Sequence, residues 1–358
     1  MIKANKHIAA MDTYALPVFD VAPGKPIVAL AQNESFRPPS TKVLLAGQAA
    51  VQEMVLYPDS GYKALNHTIA KTHNLDIDGV LVSAGSMEMI AALAQAYLSK
   101  NRSALSTQYS YAFFRTAAAL VDADFVTVPE RDHQVSVDHF LLAVSDKTSI
   151  VFVANPGNPT GTHIPKEDLI RLREGLRDDI LLVIDEAYGE FADHEGEPTF
   201  DMVEAGNTVV LRTFSKAYGL AGARVGWGYF PPAIKAELQK VINPGSISAV
   251  SQAMATAAME DQQSMKSLCE ATGSIRDEFI EQVRALGLTV PQSLTNFALI
   301  LFETTVAAQQ ADKALRDEAI VLRGMGGYGL PQALRATIGT QEQMDFVIRV
   351  LKQHRGAA

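Results

Sequence analysis

The sequence TFSKAYGLAGARVGW, residues 213–227, is the stretch that decides the fold of this 358-residue chain. In it, Lys216 follows the apolar run TVVLRTF (208–214) and precedes a glycine-rich turn that contains Arg224. Taken alone, a Ser-Lys pair in a loop is most often a solvated lysine. A lysine becomes a useful nucleophile when its surroundings lower its pKa or when it condenses with an aldehyde. The rest of the chain must therefore show which interpretation holds.

Short β-branched runs alternate with longer helical patterns from about residue 80 onward. In chain order they are VLVS (80–83), a helix from Met87 to about Leu98, AALV running into DADFVTV with its strand at 124–128, SIVFVA (149–154), a helix near 166–176, ILLVIDE (180–186) and TVVLRTF. This succession predicts an α/β fold with a largely parallel sheet. Such sheets bind their ligands where the strands end.

The pattern changes after Pro231, where it is helical through about Leu286. A smaller α+β unit is predicted beyond that point, with strands at FALILF (297–302), IVLRG (320–324) and ALRATIG (333–339), a helix near 306–318 and a closing helix from Gln341. We expect three regions: an N-terminal arm at 1–30 that joins the small domain, a large cofactor-binding domain at 31–245, and linking helices with the small domain at 246–358.

Composition narrows the functional classes. Lys and Arg number 31 against 40 Asp and Glu, a net charge of −9, which argues against nucleic acid as a partner. The single cysteine, Cys269, excludes a disulfide framework and a multi-cysteine metal site, so we expect no metal and a reducing, cytoplasmic location. No apolar window reaches the ~18 residues of a membrane span, so no membrane partner is expected.

Pyridoxal phosphate is the aldehyde that proteins condense with a lysine, and it needs an acid at its ring nitrogen, donors to its phenolic oxygen and a cradle for its phosphate. Asp185 ends the run ILLVI and could face the ring nitrogen from an apolar surround, although a helix N-cap is the alternative interpretation. Asn158, in NPGNPTG (155–161), and Tyr188 could donate to the phenolic oxygen.

The phosphate cradle is predicted at Ala84-Gly85-Ser86-Met87, which follows the strand VLVS and opens a helix. Free backbone N–H groups and the positive end of the helix dipole favour an anion there. Thr213, Ser215 and Arg224 could complete the cradle. Tyr109, after the next strand, is placed to stack on the ring, although without the other groups it is a core aromatic residue.

Eight motifs spread over nearly the whole chain carry a family resemblance. They are VAPGKPI (21–27), LAQNES (30–35), YPDSGY (57–62), AGSMEMI (84–90), NPGNPTG, DEAYGEF (185–191), TFSKAYGLAGARVGW and YGLPQALRATIGT (328–340). Together they resemble the fold-type I, class I/II pyridoxal-phosphate-dependent aminotransferases, in the histidinol-phosphate aminotransferase branch. The resemblance implies a large domain with a mostly parallel mixed sheet flanked by helices, plus a small α+β domain.

The resemblance also implies roles. Lys216 would carry the internal aldimine and move the substrate's proton, with Asp185 and Tyr188 as the other catalytic residues. The implied cofactor contacts are Gly85, Ser86, Met87, Tyr109, Asn158, Asp185, Tyr188, Thr213, Ser215, Lys216 and Arg224, with Tyr57 reaching the neighbouring subunit's phosphate in a homodimer. The implied substrate contacts are Arg335, Arg323, Asn158, Asn33 and Phe19.

The implied reaction is a ping-pong transfer of an amino group from a small-molecule donor to a 2-oxo acid acceptor, 2-oxoglutarate. Val21 and Gly245 stand where the branch usually has tyrosines, so both histidinol phosphate and an aromatic amino acid stay open as donors. The alternative is a decarboxylase resembling threonine-phosphate decarboxylase. A regulatory protein that retains this fold would need a basic DNA-binding module, which the net charge disfavours.

Overall fold

The structure, a computed structural model, describes residues 2–13, 18–21, 24–193 and 198–356. The strands over these residues are β1 Val28–Leu30, β2 Val80–Ser83, β3 Ser103–Thr107, β4 Asp124–Val128, β5 Thr148–Ala154, β6 Leu181–Asp185, β7 Thr208–Thr213, β8 Gly226–Tyr229, β9 Phe297–Leu301, β10 Ile320–Gly324 and β11 Ala333–Thr337. The helices are α1 Lys6–Ala9, α2 Thr41–Ala50, α3 Lys63–His73, α4 Ser86–Tyr97, α5 Ala112–Leu120, α6 Val137–Ala143, α7 Lys166–Gly175, α8 Gly189–Ala192, α9 Asp201–Glu204, α10 Pro232–Leu238, α11 Ala249–Glu260, α12 Gln262–Ala285, α13 Thr305–Asp317 and α14 Gln341–Gly356. Single 3₁₀ turns lie at Val51–Glu53, Ile77–Gly79, Ala221–Ala223 and Gly326–Tyr328.

The large sheet has the strand order β2-β8-β7-β6-β5-β3-β4 within the described part of the chain. Its strands are parallel except β8, which runs antiparallel to both β2 and β7. Apolar side chains pack against helices on both faces, in one core cluster with α3, α7 and α11 and in another with α4, α5 and α10. Because helices cover both faces of the sheet, its central strands are continuous apolar runs in the sequence. The predicted fold class, a mostly parallel mixed sheet flanked by helices, is confirmed.

Three local predictions in this sheet need correction. AALV (118–121) was predicted to lead into a strand, but it forms the end of α5 and the turn after it. The predicted alternation omitted β3, whose sequence SALST is polar yet buried; Ser106 satisfies its hydroxyl by donating to the carbonyl of Phe152. The predicted alternation also omitted β8, which the end of the glycine-rich stretch 213–227 enters and in which Gly226 pairs with both Ser83 and Thr213.

The small sheet has the order β1-β10-β11-β9 over the residues that the structure describes. Strand β1 belongs to the predicted arm and lies parallel to β10, with Val28 opposite Ile320. Strands β9 and β11 run antiparallel, and so do β10 and β11, in which Arg323 lies opposite Arg335. Leu30, β9, α13 and α14 build a separate apolar core here. The domain boundaries themselves stay a prediction.

A search of the described helices found none with the length and apolar character needed to cross a bilayer.

Candidate active site

A cavity of about 540 Å³ lies where the carboxyl ends of the large sheet meet the small sheet. Parallel strands converge their loops at this edge, so residues far apart in sequence share the cavity. The predicted site residues on its wall are Asn33, Ser86, Met87, Asn158, Asp185, Tyr188, Thr213, Ser215, Lys216, Arg224, Arg323 and Arg335.

Lys216 follows β7 directly, and its Nζ donates to the carbonyl oxygens of Gln32 at 3.3 Å and Asn33 at 3.1 Å. Burial, together with the positive charges of Arg335 and Arg224, lowers the pKa of this amine to about 7, against the opposing charges of Glu34 and Asp185. An amine with this pKa is half neutral near pH 7, and only the neutral amine attacks an aldehyde.

Asp185 is the last residue of β6 and is 4% exposed. Its Oδ1 accepts a hydrogen bond from the backbone N–H of Ala187 at 3.1 Å. Burial raises the pKa of this carboxyl to about 7, with a further contribution from the charge of Glu186. Because burial destabilises the lone anion, a cationic partner in the cavity would restore it to the ionised form.

Polar contacts join the small sheet to the large one beside these two groups. Asn33, in the left-handed region at φ +56°, donates from Nδ2 to the hydroxyl of Tyr188 at 2.7 Å. Arg335 donates from Nη1 to Oδ1 of Asn158 at 2.6 Å and from Nη2 to the carbonyl of Ala31 at 3.2 Å. Its buried Nε has no hydrogen-bond partner within the described ranges.

A cradle for an anion is built at the start of α4. Gly85 has φ +86° and precedes Ser86, the first residue of the helix. A Cβ on Gly85 would lie 2.8 Å from Nη2 of Arg224, so a glycine is needed for this close approach. Arg224 also donates to the hydroxyl of Ser215 at 3.4 Å, and the backbone N–H of Ser215 donates to the hydroxyl of Thr213 at 3.1 Å.

Among the tyrosines that follow β3, Tyr111 lines the cavity, whereas the predicted Tyr109, two positions earlier, does not. Tyr109 packs beside His133, with ring centroids 5.7 Å apart, and against a small buried cluster formed by Leu299, Met325, Leu330 and Ala333. Tyr111 immediately precedes α5, and the helix start is the signal that could have identified it.

Two other predicted residues lie away from the cavity in this single chain. Tyr57 is fully exposed at 101%, and Phe19 is 38% exposed and does not line the cavity. The prediction also missed residues that do line it: Gln32, Glu34, Tyr111 and Tyr328. No group of His, Cys, Asp and Glu suited to a metal ion occurs in the part of the chain that the structure describes.

The pKa of Lys216 predicts how its reactivity depends on pH. We expect the rate at which the cofactor-free protein is trapped at Lys216 by pyridoxal phosphate and borohydride to rise about fivefold between pH 6 and 7. Between pH 7 and 9 it should rise by less than about twofold, since the amine is then already neutral. Mass spectrometry of the labelled peptide measures the rate, and a free lysine side chain in the same buffer corrects for the reagent. A rate at Lys216 that climbs tenfold per pH unit up to pH 9 would contradict the prediction.

Comparison with known proteins extends these observations. The family model described as aminotransferase class I and II matches residues 25–351. A histidinol-phosphate aminotransferase from Paramagnetospirillum magneticum is 41% identical, over 92% of each chain. A crystal structure of histidinol-phosphate aminotransferase from Sinorhizobium meliloti with pyridoxal-5′-phosphate has a TM-score of 0.92 at 24% identity, covering 100% of this chain and 98% of that one. L-threonine-O-3-phosphate decarboxylase from Porphyromonas gingivalis shares the fold at a TM-score of 0.80 and 20% identity, covering 91% of this chain and 100% of that one.

The residues present fit pyridoxal 5′-phosphate. A buried carboxyl, a reactive amine and an anion cradle at a helix start share one cavity, which is the set of groups that this cofactor requires. Asp185 would hold the ring nitrogen, Asn158 and Tyr188 the phenolic oxygen, and the residues around Gly85 and Arg224 the phosphate. The family match spans both sheets and every one of these positions, so the chain belongs to the class I and II aminotransferases, whose cofactor is pyridoxal 5′-phosphate.

Proposed function

We propose that this aminotransferase takes histidinol phosphate as its amino donor and 2-oxoglutarate as its acceptor, in a ping-pong reaction. The observation that carries the proposal is the pair Arg323 and Arg335, which lie opposite each other on β10 and β11 and both line the cavity that holds Lys216. Two guanidinium groups on one wall of the cavity suit a donor with an anionic end such as a phosphate. The relative from P. magneticum, at 41% identity, is named for the same activity.

Pyridoxal phosphate supplies the electron sink that makes the donor's Cα–H bond acidic. The chain's own groups supply the rest. Lys216, with its pKa near neutrality, is suited to take the Cα proton as a general base and to return it. Arg335 and Arg323 offer positive charge to the anionic end of the substrate, and Asp185 favours a cation in the cavity.

A substrate panel tests this proposal. The purified holoenzyme is mixed with histidinol phosphate, aromatic amino acids or threonine phosphate, and conversion of the bound cofactor to its amine form is followed by absorbance. We expect the highest kcat/KM with histidinol phosphate and recovery of the original spectrum on adding 2-oxoglutarate. Faster conversion by an aromatic amino acid would replace the proposed donor. Release of carbon dioxide from threonine phosphate would favour the decarboxylase.

The enzyme is proposed to be a homodimer with shared active sites. Apolar side chains are exposed along α2 and the turn after it: Leu44, Leu45, Val51, Met54, Val55 and Leu56, with Val55 90% exposed. A contiguous exposed apolar stretch of this kind is typical of an interface. Tyr57 ends the stretch fully exposed, which suits a residue that reaches a partner's cavity. A cytoplasmic location, expected from the single cysteine, is part of the same proposal.

Subunit mixing tests whether the sites are shared. Tyr57→Ala and Lys216→Ala are each expected to impair the enzyme when present in both subunits. In a mixed dimer, one site receives native Lys216 from one subunit and native Tyr57 from the other. Unfolding and refolding an equal mixture should therefore restore about a quarter of the wild-type activity, because about half of the dimers are mixed and each has one complete site. Recovery no greater than the sum of the separate variants would contradict shared sites.

A further inference from the structure

A buried ion cluster lies outside the cavity, on the side of the segment 185–193 that is turned away from it. Its centre is Arg212 of β7, a side chain only 1% exposed. Its Nε donates to Oε2 of Glu186 at 2.9 Å, its Nη1 and Nη2 donate to the carboxylate of Asp193 at 3.1 and 3.0 Å, and its Nη1 lies 3.4 Å from Oε1 of Glu190. One cation therefore faces three carboxyl groups.

The three carboxyl groups belong to the segment 185–193, which also carries Asp185 and Tyr188. Side chains of neighbouring strand residues point to opposite faces of a sheet. Asp185 accordingly lines the cavity, whereas Glu186 turns to Arg212. Tyr188 turns back to the cavity, and Glu190 and Asp193 turn to Arg212. One face of the segment serves the cofactor cavity and the other face is bound to a single guanidinium.

Gly189 shows how closely the segment and Arg212 fit. A Cβ at this position would lie 2.7 Å from Nη2 of Arg212 and closer still to its Cζ, although φ of Gly189 is in the ordinary range. Glu186 is fixed in addition by the hydroxyl of Thr199, which donates to Oε1. The segment is therefore held in one position relative to β7, the strand that leads to Lys216.

The charge of Arg212 is paired with that of Glu186, which directly follows Asp185 in the chain. The negative charge of Glu186 contributes to the raised pKa of Asp185, and Arg212 is the cation that offsets Glu186. Of the other titratable groups around the cluster, His73, Cys269 and Tyr218 are neutral at pH 7, whereas Glu190 is about half ionised. Burial lowers the pKa of His73 to about 4 and raises the pKa of the Cys269 thiol and the Tyr218 hydroxyl, while it raises the pKa of Glu190 to about 7.

We propose that Arg212 is a positioning residue for the cofactor: through Glu186, Glu190 and Asp193 it holds Asp185 and Tyr188 in place, and its charge keeps the field at Asp185 from becoming more negative. The proposal rests on the assignment of Asp185 to the ring nitrogen. It does not depend on which amino donor the enzyme uses.

A matched set of variants tests it. Arg212→Gln removes the positive charge and the planar set of N–H donors, whereas Arg212→Lys keeps only the positive charge. Gly189→Ala displaces the guanidinium without removing it. The control is Arg276→Gln, because Arg276 is equally buried at 2% exposed and is paired with Asp277 and the carbonyl of Thr295 in another part of the chain. For each holoenzyme we would measure the dissociation constant for pyridoxal phosphate and the pH midpoint of the visible band of the bound cofactor, both without any amino substrate.

We expect Arg212→Gln to weaken cofactor binding about tenfold and to raise the pH midpoint by about half a unit or more, since uncompensated carboxylates favour the protonated form. Arg212→Lys should restore the midpoint but not the full affinity, and Gly189→Ala should weaken binding with a midpoint near that of the wild type. Arg276→Gln should lower the melting temperature but change neither the dissociation constant for pyridoxal phosphate nor the pH midpoint. If Arg212→Gln does not fold, Arg212→Lys and Gly189→Ala still test whether Arg212 positions the cofactor. Wild-type affinity in Gly189→Ala and Arg212→Lys, or variants that differ only in melting temperature, would show that Arg212 is merely structural.

Discussion

Replacing Lys216 with alanine is expected to lower kcat by at least about a thousandfold and to abolish the visible absorption of the bound cofactor. Lys216 lines the cavity and its pKa is lowered to about 7, so we expect this one amine to provide both the covalent attachment and the general base. Absorbance spectra of the reconstituted protein and initial rates with the best donor of the panel measure the two effects.

Lys71→Ala is the matched control, because Lys71 is an exposed lysine in α3, outside the cavity. It should leave both measurements unchanged. Lys216→Arg retains a positive charge but cannot condense with an aldehyde, and it should be as inactive as the alanine variant. Turnover within tenfold of the wild type in Lys216→Ala would overturn the assignment of Lys216, and with it the proposed mechanism.

Replacing Asp185 with asparagine should lower kcat by about a hundredfold or more, with a smaller change in the KM for the amino donor. Asparagine is nearly the same size and keeps an acceptor for the N–H of Ala187, but it cannot provide a negative charge opposite a protonated ring nitrogen. Steady-state kinetics measure the effect. Asp185→Glu keeps the negative charge and should recover part of the lost kcat. Equal rates for Asp185→Asn and the wild type would contradict the assignment of Asp185 to the ring nitrogen.

Asp185→Asn should also change how the stability of the cofactor-free protein depends on pH. The pKa of Asp185 is raised by burial from 3.8 to about 7, so between these values the folded state binds a proton that the unfolded state has lost. The contribution of Asp185 to the free energy of unfolding is therefore greatest below pH 4 and is lost as the pH rises to 7. Urea unfolding at pH 5 and pH 7 should show a smaller loss of stability over this interval for Asp185→Asn than for the wild type. An identical change in both proteins would contradict the raised pKa.

Much of the site could be predicted because its chemistry is local in sequence. Lys216, Asp185, Asn158 and Ser86 each follow a buried apolar run, and the ends of parallel strands meet at one edge of the sheet. The helices and strands with strong apolar periodicity were also predicted within a few residues, such as the strand at 181–185 and the helix from Gln341.

Other elements could not be predicted from local pattern. The tyrosines at 109 and 111 are equally plausible ring neighbours in sequence, and only the position where α5 begins separates them. Strand β8 lies in a glycine-rich segment whose pairing with both β2 and β7 compensates for its weak strand propensity. Nothing in the sequence around Arg212 distinguishes it from other strand residues, because its three carboxyl partners come close to it only in the folded protein.

By itself, the sequence determined the fold class and the cofactor chemistry and predicted the residues that carry it, because apolar periodicity and the residue types at strand ends are properties of short stretches of chain. Only the tertiary structure decided that β1 pairs with β10 across nearly 300 residues, that Arg323 lies opposite Arg335, and that a buried guanidinium holds the segment behind Asp185. These features depend on contacts between residues that are distant in sequence. No local pattern contains the free energy of such contacts, since it arises only when the elements pack together.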